Sequence, residues 1–261
     1  GFLGEYDALR GQGHGCAHHM QTPAMIGAAM ALRGVLESSD QPFEIHVIGT
    51  PSEESLDGGK NEMAAHGGFD HIDVAFMVHG STLTQLETPS LALIEMDVEF
   101  HGKTAHAGIA PYAGRSAVDA VTMLQTGLGL MRNHLKDSSR VSNIVLAGGT
   151  AVNSVPDFAK VKVEIRHSSM AYLESVEQWT REIAQAAAMA TQTQVQITPV
   201  AHIYNTTIND AMGALLMECA EKFACDGIAP PRKDCGSTDF GAVTHRLPSC
   251  CLRVKTIETD V

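Results

Sequence analysis

The sequence of 261 residues predicts an α/β fold, in which a mostly parallel sheet flanked by helices is interrupted by an inserted α+β domain. Early in the chain, short apolar runs alternate with helical patterns, which is typical of a parallel sheet covered by helices. From about Leu93 the order changes to βαββαβ, a ferredoxin-like plan, and after about Tyr204 the first pattern returns. We therefore expect domain segments at 1–92, 93–203 and 204–261, with the first and last in one domain.

The elements of the interrupted domain follow from apolar runs and periodic apolar residues. Short apolar runs predict strands at residues 2–6, 43–49, 74–79 and 250–255. Helical periodicity predicts helices at residues 23–36, 59–65 and 210–223. Pro23 is expected to open the first of these helices, because proline is favoured in a first turn.

The inserted domain shows longer elements. Apolar runs predict its strands at residues 93–100, 143–151, 159–166 and 194–200, and periodic apolar residues predict its two helices at 116–136 and 171–190. The dipeptide Pro156-Asp157 supplies the turn between the two middle strands.

Composition excludes several classes of protein. The chain is 44% hydrophobic and 18% charged, which is ordinary for a globular protein and excludes disordered and collagen-like classes. Its 18 Lys and Arg against 30 Asp and Glu give a net charge of −12, so no nucleic-acid partner is expected. No apolar run reaches the roughly 18 residues of a membrane span, so no membrane partner is expected. Six unevenly spread cysteines indicate reduced thiols and a cytoplasmic location.

Chemically suggestive residues follow three predicted strands. Cys16 and His18 stand in the Gly-rich run His14-Gly-Cys-Ala-His-His, where a loop could turn both side chains toward one ion. Glu53 and Glu54 follow the second strand, where one carboxylate can bind a cation while the other accepts a proton. His79 ends the third apolar run. The alternatives are surface histidines beside a buried thiol, a solvated acidic turn, and a structural histidine.

The positions of these residues favour one common site. The carboxyl ends of successive parallel strands meet at one edge of a sheet, so the three groups should converge there. Cys16, His18, Glu54 and His79 then offer a thiolate, two imidazoles and a carboxylate, a set suited to zinc or another first-row divalent ion.

An ordered set of motifs resembles the M20 metallopeptidase and amidohydrolase family, in particular the branch with aminobenzoyl-glutamate hydrolase and the peptidase M20 domain-containing protein 2 type of dipeptidase. The motifs, which run over essentially the whole chain, are Gly4-Glu-Tyr-Asp-Ala-Leu, His14-Gly-Cys-Ala-His, Glu53-Glu54, Val78-His79, Gly102-Lys-Thr-Ala-His106-Ala, Asn153-Ser-Val-Pro-Asp157 and Gly236-Ser-Thr-Asp239. The resemblance implies a catalytic domain with two divalent metal ions, zinc or manganese, and an inserted lid through which the protein forms a homodimer.

The resemblance also implies roles for individual residues. Cys16 would be the thiolate shared by two metals, and His18, Glu54 and His79 would complete most of the shell. Glu53 would be the general base, and Asp7 would orient the metal loop from behind. His106 would stabilise the oxyanion, reaching the site of the partner protomer. Substrate contacts are implied for Asn153 and Arg166, which would hold a carboxylate, and for the pocket residues Ser237, Thr238 and Asp239.

Each of these roles has a simpler alternative. Asp7 could cap a turn, Arg166 could be a surface charge at a strand end, and the Gly236 to Asp239 run could be a helix N-cap. The chain also departs from the family pattern at Arg10, Ala17 and His19. It lacks the family's last metal-ligand histidine, because His245 lies too close to Asp239 to match it.

We therefore expect a fragment that lacks both ends of a metal-dependent hydrolase. Its substrate would be the amide bond of a dipeptide or an N-acyl amino acid. The alternatives are an aminobenzoyl-glutamate-type amidohydrolase, a catalytically inactive metal-binding or dimerising module, and a two-domain α/β protein with a structural zinc.

Overall fold

The computed structural model describes residues 1–55, 58–223, 225–232 and 236–258. The chain forms two compact units, one made of Gly1–Leu91 and Ile203–Val261 and the other of Ala92–His202. The strands are β1 (Phe2–Glu5), β2 (Val47–Thr50), β3 (Ala75–Ser81), β4 (Gln85–Leu86), β5 (Ala92–His101), β6 (Arg140–Ala147), β7 (Phe158–His167), β8 (Gln194–Ile203) and β9 (Ser249–Lys255). The α-helices are α1 (His18–Leu36), α2 (Gly59–Ala65), α3 (Ala117–Met131), α4 (Met170–Thr191), α5 (Asp210–Lys222) and α6 (Gly241–Thr244).

The discontinuous unit contains a mostly parallel sheet, as the sequence predicts. Its strand order is β2-β1-β3-β9-β4, in which the first four strands run parallel and β4 is antiparallel to β9. Leu3, at the centre of the sheet, lies beside Ile48 on one neighbouring strand and Met77 on the other. These apolar strands are buried with Phe69 and Val243, so the sheet is fixed by its hydrophobic residues and its carboxyl edge is left for polar groups.

The continuous unit contains strand, helix, strand, strand, helix and strand in chain order, and its sheet has the order β6-β7-β5-β8. Alternate residues of β5, such as Met96 and Val98, are fully buried, and helices α3 and α4 pack on this sheet. The residues of β5 that alternate with these buried ones, such as Asp97 and Glu99, are charged. Lys160 of β7 binds Asp97 and Glu99 of β5 at 2.7 and 3.0 Å, so the other face carries ion pairs.

Several boundaries differ from those predicted, among them that of β6, which spans Arg140–Ala147 rather than 143–151. Helix α1 begins at His18 rather than Pro23, because Ala17 adopts a left-handed conformation with φ 60° and starts the helix five residues earlier. The strand predicted at 43–49 pairs only over Val47–Thr50, since β1 offers partners to those residues alone. Helix α3 ends at Met131 and continues as a single 3₁₀ turn instead of reaching residue 136.

The helices within the described part of the chain fall short of a membrane span. None of them is both long enough and apolar enough to cross a bilayer.

Candidate metal centre

Predicted ligands converge at the carboxyl edge of the parallel sheet in the discontinuous unit. The Nε2 atom of His18 lies 3.8 Å from Oε1 of Glu54 and 4.0 Å from Oε2 of Glu53. The rings of His18 and His79 meet edge to face with their centroids 5.5 Å apart. The structure therefore brings together residues from three segments that follow or end successive parallel strands.

His18 is held in one orientation by Asp7. Its side chain is 1% exposed, and its Nδ1 lies 3.1 Å from Oδ1 and 3.2 Å from the carbonyl oxygen of Asp7. Two acceptors at Nδ1 place the proton there, which leaves the lone pair of Nε2 pointing into the site. Asp7 also accepts the backbone N–H of Glu54 at 2.9 Å through its Oδ2, so one carboxylate fixes both groups.

Two buried atoms test whether a metal ion fits here. Among the described residues, Nε2 of His18 and Oε1 of Glu54 are buried without a hydrogen-bond partner. A buried acceptor without a donor is unfavourable, and a lone pair that faces carboxylate oxygens is more so. A cation between these atoms would satisfy both of them. Imidazole nitrogen and carboxylate oxygen are common zinc ligands, so the donors fit such an ion.

The tight turn after β2 carries Glu53 and Glu54. Ser52 adopts φ 60°, a left-handed conformation that non-glycine residues rarely adopt, so the turn is strained. Burial, together with the negative charge of Glu5, raises the pKa of Glu53 to about 8, although Thr238 hydrogen-bonds to its carboxylate. Carboxylates with pKa values raised in this way are common at functional sites.

Cys16 lies against the same carboxylates. Burial raises the pKa of its thiol to about 12, and a hydrogen bond to Glu54 and the charges of Glu54 and Glu53 add to the effect. The thiol is therefore neutral at this position unless a cation offsets the carboxylates.

His79 presents Nδ1 to protein groups. This atom lies 2.7 Å from the carbonyl oxygen of Gly80 and 3.2 Å from Nη1 of Arg253. Burial, and then the charge of Arg253, lower the pKa of His79 and favour the neutral imidazole that a metal ion requires. Both contacts involve Nδ1 rather than Nε2.

Sequence reasoning missed two residues at the centre of the site. Glu5, the last residue of β1, is 1% exposed, and its Oε2 lies 3.2 Å from Nε2 of His18. Lys60, from α2, is fully buried, and its Nζ lies 2.6 Å from Oε1 of Glu5 and 2.5 Å from Oδ1 of Asp239. Glu5 belongs to the same Gly4-Glu-Tyr-Asp run as Asp7, a signal that could have found it. Lys60 carries no comparable signal.

Lys60 does not act equally on its two partners: the pKa of Glu5 is lowered, whereas burial raises the pKa of Asp239. Burial alone would raise the pKa of Glu5, but the charge and hydrogen bond of Lys60 outweigh it and lower that pKa to about 2. Burial opposes the charge of Lys60, yet the carboxylates of Glu5 and Asp239 raise its pKa above the usual value. Asp239, predicted as a pocket residue, is thus buried and bound to Lys60. Ser237 and Thr238 are half-buried beside it.

The continuous unit places His106 and Asn153 side by side on exposed loops. His106 pairs with Ser154 in an antiparallel bridge, and the N–H of Ala107 donates to the carbonyl of Asn153 at 2.9 Å. Both predicted side chains are exposed.

Arg166, the other candidate for a substrate carboxylate, lies away from His106 and Asn153 in the continuous unit. Asn153 precedes β7, whereas Arg166 lies eight residues after Phe158 near the other end of that strand. An extended strand of this length spans about 26 Å, which is beyond the reach of an arginine side chain. Arg166 instead donates to Glu164 at 2.8 and 3.0 Å. Within one copy of the chain, the two residues cannot bind the same small carboxylate.

Known proteins resemble this chain in sequence and fold. It is 34% identical over 253 residues to Xaa-Arg dipeptidase of Mus musculus, covering 95% of this chain and 58% of the relative. It is 33% identical over 233 residues to one of the p-aminobenzoyl-glutamate hydrolase polypeptides of Escherichia coli strain K12, covering 80% and 48%. Its fold matches that of a dinuclear metal-binding peptidase of family M20 from Bacillus subtilis with a TM-score of 0.72 and 18% identity, covering 98% of this chain and 71% of the other.

The match to a family extends over nearly the whole chain. The chain spans about half to three fifths of the length of the two curated relatives. Residues 4–258 match the model of peptidase family M20/M25/M40. The protein is therefore a member of the M20/M25/M40 peptidase family.

Proposed function

We propose that this protein is a metal-dependent hydrolase that cleaves the amide bond of a dipeptide or an N-acyl amino acid. The observation that carries the proposal is the pair of buried, unpartnered ligand atoms on His18 and Glu54, which lie beside a carboxylate with a raised pKa on Glu53. Membership of the M20/M25/M40 family and the similarity to a dipeptidase and an amidohydrolase support the same chemistry.

Two divalent ions, zinc or manganese, would be held by the protein's own ligands. The proposed ligand set is Cys16, His18, Glu54 and His79. Once bound, the ions would supply positive charge that polarises the attacking water and the substrate carbonyl. The hydrogen bond between Cys16 and Glu54 supports the place of the thiol in this set, and a bound cation would favour its thiolate.

Glu53 is proposed to move the proton. Its Oε2 lies 4.0 Å from Nε2 of His18, so the carboxylate borders the place where a metal ion held by His18 would present a water molecule. The carboxylate takes a proton from the attacking water and then delivers it to the leaving nitrogen. Without a bound cation, burial and the charge of Glu5 raise its pKa to about 8, which supports a role in proton transfer.

Asp7 is proposed as the group that orients the ligands. Because it accepts Nδ1–H of His18 and the N–H of Glu54, it keeps Nε2 and the carboxylate of Glu54 directed at the same place. Thr238 restrains Glu53 through its hydrogen bond. Ser237 and Asp239 are proposed to line the pocket, Asp239 through its contact with Lys60.

The continuous unit is proposed to be a ferredoxin-like lid through which the protein forms a homodimer. His106 would stabilise the oxyanion in the site of the partner protomer, and Asn153 would bind the substrate carboxylate. The adjacency of their loops supports a shared role for these two residues. Arg166 belongs to this proposal only if it acts apart from Asn153, for example at the site of another copy.

The location of the protein is a further proposal. Cys16, Cys219, Cys225, Cys250 and Cys251 are free thiols among the described residues, which supports a reducing compartment such as the cytoplasm.

The test is metal content together with hydrolysis of a substrate panel. The panel contains Xaa-Arg dipeptides, other dipeptides, N-acetyl amino acids and p-aminobenzoyl-glutamate. Glu53→Gln should lose activity by about 10²-fold or more and keep its metal, because removal of a general base affects proton transfer alone. Glu62→Gln, which changes an exposed glutamate on α2, is the matched control and should keep both.

The outcomes separate the alternatives. Two metals per chain, with turnover abolished only in Glu53→Gln, would support the metallohydrolase. Metal binding without turnover of any amide would favour an inactive metal-binding module. Preferential cleavage of p-aminobenzoyl-glutamate would assign the chain to the amidohydrolase type.

A further inference from the structure

The buried ammonium of Lys60 has no part in the mechanism proposed above. Its Nζ contacts one oxygen each of Glu5 and Asp239, and its backbone N–H donates to the second oxygen of Asp239 at 2.9 Å. The start of α2 packs closely against the backbone of Pro51: a Cβ at Gly59 would lie only 1.9 Å from the carbonyl oxygen of Pro51, so only glycine fits there. The helix therefore delivers Lys60 to a defined point beside the metal centre.

The two carboxylates bound by Lys60 are themselves capable of binding metal. Together with Glu53, they offer oxygen atoms that lie within 4.8 Å of one another. The second oxygen of Glu5 also lies 3.2 Å from Nε2 of His18. Gln21 also donates to this second oxygen at 2.9 Å. Buried carboxylates are costly when unpaired, so in the absence of Lys60 they must either take up protons or bind another cation.

Nζ of Lys60 lies between the two carboxylates, in the place that a metal ion bound by both would take. It lies 2.6 and 2.5 Å from one oxygen of each carboxylate, so its positive charge stands directly between them. We propose that Lys60 is a positioning residue whose ammonium occupies a cation position between Glu5 and Asp239 and keeps both carboxylates from binding metal. The metal ions are thereby restricted to the ligand set named under the proposed function, on which this inference rests.

A purely structural ion pair makes a different prediction. A buried ion pair can often be replaced by apolar residues without loss of stability, and its removal would change stability but not the number of metal ions bound. The positioning role predicts a change in metal stoichiometry. The number of ions per chain is therefore the readout that separates the two.

The experiment compares the wild-type protein with Lys60→Met, with Lys60→Met/Asp239→Asn and with the matched control Lys222→Met, which changes an exposed lysine. Each protein is dialysed to equilibrium against Mn²⁺, and manganese per chain is measured by mass spectrometry. Lys60→Met should bind one Mn²⁺ more than the wild type. The double variant, which lacks one of the freed carboxylates, and the control should return to the wild-type number.

A folded Lys60→Met protein with the wild-type manganese content would overturn the proposal. If this variant does not fold without metal, Mn²⁺ should restore its melting transition, because the ion replaces the ammonium. A variant that stays unfolded in saturating Mn²⁺ would also refute the proposal. A wild-type protein that binds no metal refutes the proposed function, whereas the difference between wild type and variant still decides the role of Lys60.

Discussion

Replacing Asp7 by asparagine tests how the metal centre is held together. The aspartate accepts two hydrogen bonds with different oxygens, from Nδ1–H of His18 at 3.1 Å and from the N–H of Glu54 at 2.9 Å. Asparagine has the same shape but only one acceptor oxygen, and its NH₂ group is a donor. In Asp7→Asn, one of the two donors must therefore face the new NH₂ group; where that donor is Nδ1–H of His18, it keeps only the backbone carbonyl oxygen of residue 7, at 3.2 Å.

The expected loss follows from that count of acceptors. Losing a hydrogen bond to a charged carboxylate in a largely buried site costs about 1–3 kcal/mol. The cost falls on the arrangement that aims Nε2 of His18 and the carboxylate of Glu54 at one ion, so it weakens metal binding rather than folding alone. Loss of such a supporting partner lowers metal affinity by about 10- to 100-fold, which corresponds to about 1.4–2.7 kcal/mol. The two magnitudes agree.

The assay is competition for Zn²⁺ with a chromophoric chelator, at one pH for all proteins. Asp40→Asn is the matched control, because this aspartate is exposed. Asp7→Asn should bind zinc about 10- to 100-fold more weakly than either the wild type or the control. Equal affinity in all three proteins, with Asp7→Asn folded by circular dichroism, would show that Asp7 does not orient His18 and Glu54.

Two further predictions concern folding. Gly59→Ala should lower the free energy of unfolding by about 1–3 kcal/mol or more, because the new Cβ would collide with the backbone oxygen of Pro51. Thermal melts check this through a lowered melting temperature, and an unchanged melting temperature would contradict it. The pKa of Asp97 is lowered because the hydrogen bond of Lys160 and the charges of Lys162 and Lys160 outweigh the effect of burial. The Asp97 carboxylate therefore stabilises the fold above pH about 4, and this contribution is lost as the pH falls further. Asp97→Asn should thus be less stable than wild type in denaturant at pH 7, with a difference that shrinks at pH 3; a constant difference would contradict this assignment.

Local patterns are enough to predict most of the strands and the approach of three candidate ligands to one sheet edge. The apolar run that contains Phe76 and Met77 is recognisable without knowledge of its neighbours, and it forms β3. Cys16, His18 and Glu54 are predicted as ligands because each follows such a run, and parallel strands bring those ends to one edge. Here the sequence neighbours of a residue already determine where its side chain lies.

Long-range packing decides what local patterns cannot. Lys60 and Asp239 are 179 residues apart, and no spacing along the chain connects them. Their pairing becomes visible only when α2 and the loop before α6 meet at the sheet edge. The separation of Arg166 from Asn153 has the same origin, because each matches its motif while the length of β7 between them decides whether they can act together.

The charge of the assembled site links its unusual pKa values to its need for metal. Carboxylates crowd the edge of the sheet, and the ammonium of Lys60 is committed to Glu5 and Asp239. The remaining negative charge and burial together raise the pKa of Glu53 and of Cys16. A divalent cation beside them would favour the carboxylate and the thiolate at once. The protein's own residues therefore set a condition that a metal ion satisfies, and Lys60 limits how many ions are needed to satisfy it.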